Sequence, residues 1–213
     1  MYQIISLQTI IALVLVSTLI IGMTASTVNA EVSVLAGGGN GTSPLTAFVP
    51  KDIEIKAGES VIWTNPTPVA QPHTITFLSN GTFFAPPLAA FTVPNSTEFT
   101  PVVQGENVEP TIIPSNGVGS SNATKIVLID NARSTHPTVI DSTGKSAIYL
   151  SPNSTYTFQG NEQYLNSGWM WPEGQVPPGA PYLATFTVKF EKPGTFSYIC
   201  IVHPWMTGSV TVS

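Results

Sequence analysis

Apolar and polar residues alternate along most of the chain after residue 47, with the period of a β-strand. Residues 53–56 and 186–190 place apolar side chains at every second position, and Gly, Pro or Asn soon interrupts each run. Successive strand side chains point to opposite faces, so each of these runs has one apolar face. No stretch shows sustained helical periodicity, and 19 prolines are spread through the chain. The pattern predicts an all-β sandwich or barrel.

The first 30 residues differ from the rest of the chain. They contain no Asp, Glu, Lys or Arg, and residues 10–23 form an apolar run as long as that of a signal peptide. Small residues at 28–30 suit cleavage before Glu31, although the basic start of a signal peptide is missing. We therefore expect a signal peptide or an N-terminal membrane anchor at 1–30, and export of the remainder.

The exported part divides into two segments by composition. The glycine-rich run at 36–41 predicts a flexible linker over residues 31–46. Residues 47–213 are long enough for one well-packed domain with a large excursion. Residues 81–159 hold short apolar runs between turns rich in Pro, Asn and Ser, and we expect an insertion there with some strands of its own.

The low charge of the chain limits its partners. Charged residues make up 9% of the sequence and the net charge is −5, so the basic patch that nucleic-acid binding needs is missing. Asn-x-Ser/Thr signals for glycosylation are typical of surface loops in exported proteins. Five of them stand in the exported part, at Asn40, Asn80, Asn95, Asn122 and Asn153.

A single cysteine carries the clearest chemical signal. Cys200 is followed by His203 and Met206, so a thiol, an imidazole and a thioether lie on one short loop. An unpaired cysteine in an exported chain indicates a reactive or metal-binding thiol. Two histidines, one cysteine and a weak axial methionine form the copper site of electron-transfer proteins. The loop supplies three of these four ligands and predicts one copper ion.

The second histidine is chosen by strand alternation. His73 shares a face with Ile75 and Phe77, so its imidazole lies on a row of inward-facing residues and needs a partner or a metal. His136 lies among loop residues without alternation, where a surface histidine is expected. The pattern favours His73 as the fourth ligand.

With these residues in place, the chain resembles a cupredoxin of the plastocyanin/amicyanin type, an extracytoplasmic blue copper protein. The resemblance covers residues 47–80 and 161–213, and it implies a Greek-key β-sandwich whose insertion separates the first histidine from the Cys-His-Met loop. The spacing of two residues between His203 and Met206 is more similar to that of amicyanin than to that of plant plastocyanin. The low charge and the many glycosylation signals of the chain are similar to those of archaeal surface relatives. The segments that carry the resemblance are Lys56-Ala57-Gly58-Glu59-Ser60-Val61-Ile62-Trp63-Thr64-Asn65, Pro72-His73-Thr74-Ile75-Thr76-Phe77, Asn166-Ser167-Gly168 and Lys192-Pro193-Gly194-Thr195-Phe196-Ser197-Tyr198-Ile199-Cys200 with its loop.

The resemblance implies copper ligation by His73, Cys200, His203 and the weak axial Met206. The sequence departs from the family at two positions. Many relatives have Asn after the first histidine, where its side chain ties the two ligand segments together, and this chain has Thr74. Some have Pro before the second histidine, whereas Val202 keeps an N–H that could point at the sulfur. Hydrogen bonds around the sulfur tune the potential of such a site.

These features predict an extracytoplasmic carrier of single electrons. We expect a monomer that is not an enzyme, with redox partner proteins docking weakly near His203 and Trp205 and electrons passing through an exposed edge of His203. A copper carrier without redox turnover and a glycosylated surface module with a copper site stay open as alternatives. A multicopper enzyme needs more histidines than the three present.

Overall fold

The protein is described here by a computed structural model, which covers residues 30–79, 88–94, 111–115, 124–145, 147–176 and 182–213. Apart from Ala30, the predicted leader lies outside these residues. The described residues form fifteen β-strands and one short helix, which confirms the predicted all-β sandwich. None of the described helices has the length and apolar character needed to cross a membrane.

Five strands form the first sheet, in the order β11, β13, β4, β1, β2. The strand β1 runs parallel to β4 and antiparallel to β2, so the N-terminal strand of the described chain is paired on both sides. The bounds are β1 Glu31–Asn40, β2 Ser43–Val49, β4 Ser60–Thr64, β11 Thr155–Phe158 and β13 Thr185–Phe190.

Seven strands form the second sheet, in the order β10, β9, β12, β5, β14, β15, β3. The hairpin of β14 and β15 lies beside β5, so the chain on either side of the Cys-His-Met loop is held in this sheet. The bounds are β3 Asp52–Ile55, β5 Thr76–Leu78, β9 Thr138–Ile140, β10 Ala147–Tyr149, β12 Tyr164–Asn166, β14 Gly194–Ile199 and β15 Thr207–Val212.

The segment expected as an insertion contributes to three sheets. Its strands β9 and β10 extend the second sheet, and β11 forms an edge of the first. A separate three-stranded sheet has the order β6, β8, β7, with β6 Leu88–Pro94, β7 Thr111–Ser115 and β8 Thr124–Asp130. The helix α1, Ala132–Thr135, is capped by Asn131, whose side chain accepts a hydrogen bond from the N–H of Arg133.

The hydrophobic core lies between the two larger sheets. Trp63 of β4 is fully buried and meets Tyr198 and Phe77 of the opposite sheet edge-on, at ring-centroid distances of 5.3 and 6.0 Å. Edge-to-face aromatic pairs of this kind stabilise a core by about 0.5–1.5 kcal/mol each beyond the area they bury. Because Tyr198 lies two residues before Cys200, the rigid core fixes the strand that carries the thiol.

The structure corrects the prediction of a flexible linker over residues 31–46. These residues form β1 and most of β2, a hairpin whose register shifts between Ala36 and Gly38. The irregularity needs glycine, because Gly37 has a φ of 99° and a Cβ at this position would lie within 2.5 Å of Thr67 Oγ1 and His73 Nε2. Composition alone predicted flexibility here, whereas the glycines serve a close approach of the backbone.

Candidate metal centre

The structure brings His73, Cys200 and His203 together. One nitrogen of each histidine and the cysteine sulfur all lie within 4.8 Å of one another, and the three side chains are buried. His73 is held by a backbone pair with Met170, in which the N–H of each residue donates to the carbonyl of the other at 3.1 and 2.9 Å. Cys200 directly follows β14, and His203 lies on the loop that leads to β15.

The ligand loop is closed by its own backbone. The N–H of Cys200 donates to the carbonyl of Met206 at 2.9 Å, and the N–H of Met206 donates to the carbonyl of His203 at 2.8 Å. These bonds place Met206 beside Cys200 in the loop, and the Met206 side chain is buried. The axial role of the Met206 sulfur stays a prediction.

Both imidazoles present Nδ1 to the sulfur. The distances from Cys200 Sγ are 4.0 Å to His73 Nδ1 and 3.6 Å to His203 Nδ1, and the ring centroids are 4.9 Å apart. Thiolate and neutral imidazole are ligands for copper, and buried groups of this kind need a metal or another partner. The donor set therefore fits one copper ion.

Burial sets the protonation of the three groups. It lowers the pKa of His73 to about 4, helped by the neighbouring charge of His203, and it also lowers the pKa of His203. Both histidines are therefore neutral near pH 7, as metal ligands must be. Burial raises the pKa of the Cys200 thiol, while backbone N–H groups of Thr74, His203 and Val202 act in the opposite direction. A bound cation would favour the thiolate that burial disfavours.

Thr74 replaces the asparagine that many relatives have after the first histidine. Its N–H donates to Cys200 Sγ at 3.3 Å, and its hydroxyl accepts from the N–H of Ile201 at 2.9 Å. The threonine thus links the segment of His73 to the loop of Cys200.

A buried relay supports this link. The Thr74 and Thr76 hydroxyls lie 3.1 Å apart, and Thr76 donates to Asn166 Oδ1 at 2.8 Å. Asn166 Nδ2 donates to the carbonyls of Arg133 and Ser134, which fixes the direction of the amide. The Thr74 hydroxyl therefore donates to Thr76 and accepts from the N–H of Ile201. Through this chain of hydrogen bonds, α1 holds the segment of Cys200 in place.

His136 lies outside the cluster. It is half-buried, its Nδ1 lies 2.9 Å from the Thr135 hydroxyl, and its ring meets Tyr149 edge-on at 6.1 Å. The structure therefore places His73, but not His136, beside Cys200 and His203.

The edge of His203 is less exposed than expected. Only 8% of the residue is accessible, because Gln71 Nε2 lies 2.8 Å from His203 Nε2 and the Trp205 ring packs edge-on at 5.4 Å. Trp205 is itself 68% exposed and donates from Nε1 to the Thr46 hydroxyl at 3.0 Å. Sequence reasoning missed Gln71 because the stretch between β4 and His73 has no periodicity to mark an inward-facing residue.

Comparisons with known proteins find a short stretch of sequence similarity to amicyanin. No protein-family model matches the chain. A stretch of 28 residues is 57% identical to amicyanin-alpha of Methylorubrum extorquens, which is 13% of this chain and 24% of that protein. The chain thus matches about a quarter of the length of this curated relative. The predicted resemblance to the cupredoxins, and to amicyanin among them, is confirmed by this match.

Solved structures of amicyanin mutants are also similar to this chain. The reduced Cu(I) form of one mutant at pH 4 is 13% identical, with 89% of this chain and 88% of that chain covered and a TM-score of 0.36. The oxidised state of another mutant is 14% identical over the same shares, with a TM-score of 0.35.

Proposed function

We propose that this chain is an extracytoplasmic blue copper protein that carries single electrons between redox partners, with one copper ion held by His73, Cys200, His203 and Met206. The observation that carries the proposal is the buried convergence of two Nδ1 atoms on Cys200 Sγ. Bound copper would supply the Cu(I)/Cu(II) couple. Amicyanin, to which the chain is similar, has been solved in reduced Cu(I) and oxidised forms.

The protein supplies a framework that holds its donors in place. His73 is fixed by its backbone pair with Met170, and Cys200 is fixed by β14 and by the closed loop. Electron transfer is fast when the ligands move little between oxidation states, because little reorganisation is then needed. A carrier of this kind is not an enzyme, and three histidines are too few for a multicopper centre.

Electrons would leave at the end of the sandwich that carries Trp205. The indole is the exposed group that contacts His203, and Pro204 beside it is also exposed. We propose that a redox partner docks weakly here, over a small interface typical of redox encounters. The side chains named around His203 are uncharged, so the docking rate should depend little on ionic strength.

The extracytoplasmic location rests on the leader pattern and on the glycosylation signals. Two of the five signals lie in the described part of the chain, and both Asn40 and Asn153 are exposed. Asn40 lies at the tip of the β1–β2 hairpin, where its Oδ1 accepts from the Thr42 hydroxyl at 2.9 Å. A copper carrier without redox turnover would use the same ligands and remains the second candidate.

The visible spectrum of the copper-loaded protein tests the proposal. We expect an intense blue absorption that a mild reductant bleaches and an oxidant restores without loss of copper. Cys200→Ser should abolish the colour, whereas Thr207→Ser, an exposed position beyond the loop, should keep it. Colour that survives Cys200→Ser would refute the site. Copper that binds but is released on reduction would favour the copper carrier.

A further inference from the structure

The segment 65–72, between β4 and His73, reaches the remote nitrogens of both candidate histidine ligands. Gln71 contacts His203 Nε2 at 2.8 Å. Thr67 Oγ1 and His73 Nε2 both lie within 2.5 Å of the point where a Cβ on Gly37 would stand. These two atoms are therefore separated by no more than twice that distance, in a space that Gly37 keeps open. Both are buried and neither has a hydrogen-bond partner among the described residues.

The tautomer of each imidazole decides whether Nδ1 can bind a metal. A neutral imidazole has one N–H and one lone pair, so a proton on Nε2 leaves the Nδ1 lone pair free. Both Nδ1 atoms face Cys200 Sγ. A partner that accepts a hydrogen bond from Nε2–H would hold each ring in the metal-binding tautomer.

We propose that Thr67 and Gln71 are positioning residues that accept the Nε2–H of His73 and of His203, respectively. This inference rests on the proposed role of the two histidines as metal ligands through Nδ1. Gln71 Oε1 is buried without a partner, and a half-turn of the amide places it on His203 Nε2. In this proposal Thr67 Oγ1 accepts from His73 Nε2–H, directly or through one water in the gap.

Asn65 anchors both acceptors. Its Oδ1 accepts from the N–H of Thr67 at 3.0 Å, and its Nδ2 donates to the carbonyls of Gln71 at 2.9 Å and Met170 at 2.7 Å. Met170 is the residue whose backbone pairs with His73. One buried amide therefore fixes the two acceptors and one of the rings they act on, which gives the segment a defined geometry before any metal binds.

Nitrogen NMR of the ¹⁵N-labelled, metal-free protein at neutral pH tests the inference. Correlations between ring protons and ring nitrogens report the tautomer, and we expect Nε2–H in both His73 and His203. Nδ1–H in either ring of the wild-type protein would overturn the assignment for that ring, whatever the variants do. His136, which lies outside the segment, is the internal reference for all spectra.

Variants separate the two acceptors. Gln71→Met should speed solvent exchange of the His203 Nε2–H by about tenfold, the effect of losing one hydrogen bond, and leave His73 unchanged. Thr67→Val should move the His73 Nε2–H signal to that of a free N–H, and Thr67→Ser should restore it. Val69→Ala in the same segment should change neither. If Thr67→Val does not fold, Thr67→Ala serves in its place.

Unchanged N–H signals in Gln71→Met or in the folded Thr67 variant would refute the inference for that residue. Because these measurements need no copper, they are independent of redox activity. Nε2–H tautomers in a protein that fails to cycle between Cu(I) and Cu(II) would leave the inference intact and refute the proposed function. Nδ1–H tautomers in a protein that does cycle between Cu(I) and Cu(II) would refute the inference and leave the proposed function intact.

Discussion

The Thr74 hydroxyl accepts a hydrogen bond from the N–H of Ile201 across 127 residues of sequence, in a position that is fully buried. The same residue donates its own N–H to Cys200 Sγ. One threonine therefore contacts both the candidate sulfur ligand and the residue after it, and it does so from the position next to His73.

Removing the Thr74 hydroxyl should destabilise the protein. Thr74→Val keeps the shape but leaves the buried N–H of Ile201 without an acceptor, so we expect a loss of about 1–3 kcal/mol in the free energy of unfolding. Thr74→Ser, which keeps the hydroxyl, should lose much less. Urea unfolding of the metal-free protein measures both. Equal stability of the valine and serine variants would show that the hydrogen bond contributes little.

A side chain at Gly37 should displace His73. The Cβ of Gly37→Ala would lie 2.5 Å from His73 Nε2, and a φ of 99° strains any residue other than glycine. We expect weaker copper binding and a loss of at least about 1 kcal/mol in stability. Gly41→Ala is the matched control, because nothing lies within 4 Å of its Cβ position. Copper titration followed at the visible band checks the pair, and similar affinities for both variants would contradict the close approach.

The metal-free protein should lose stability in acid before its carboxylates titrate. The pKa of His73 falls from 6.5 in the unfolded chain to about 4 in the folded one. Between these values the unfolded chain binds a proton that the folded chain does not, so stability decreases as the pH falls through this window, by up to about 3 kcal/mol. Above about pH 6.5 this contribution is constant. Urea unfolding at a series of pH values gives the slope, and His73→Gln should flatten it. A slope that His73→Gln leaves unchanged would place the titration elsewhere.

Replacing Met206 tests its predicted axial role. Met206→Leu keeps an apolar side chain of similar volume but removes a weak donor, which should destabilise the more highly charged Cu(II) and raise the reduction potential. The blue colour should persist, because it depends on the cysteine. Met170→Leu is the control, since Met170 is equally buried and its contact with His73 is made by the backbone. A potential that shifts equally in both variants, or in neither, would count against axial ligation. Voltammetry of the loaded protein measures it.

The candidate ligands could be predicted because their signals are local. His73 begins a run in which inward-facing residues alternate in the sequence, and it lies three residues before β5 in the structure. Cys200, His203 and Met206 occupy one short stretch, so period and spacing were enough to name the cluster of His73, Cys200 and His203. The role of Met206 stays a prediction. The all-β class followed from the same alternation. Neither inference required knowledge of which strands pair.

The supporting residues could not be found in this way. Thr67 and Gln71 lie in an irregular segment, and their importance depends on the distant Gly37 and His203. The glycine-rich run at 36–41 predicts a linker where the structure has strands, because composition does not distinguish a flexible glycine from one required by a close approach. The parallel pairing of β1 with β4 joins segments about 30 residues apart and leaves no pattern in either strand.

The complete burial of the single thiol has a practical consequence. Cys200 has no accessible surface, and the chain holds no other cysteine, so a thiol-reactive dye cannot modify the folded, metal-free protein until the region around β14 opens. The rate of labelling therefore follows the population of open molecules when closing is fast. The Cys200 thiol therefore reports local unfolding at the place where a metal ion would have to enter.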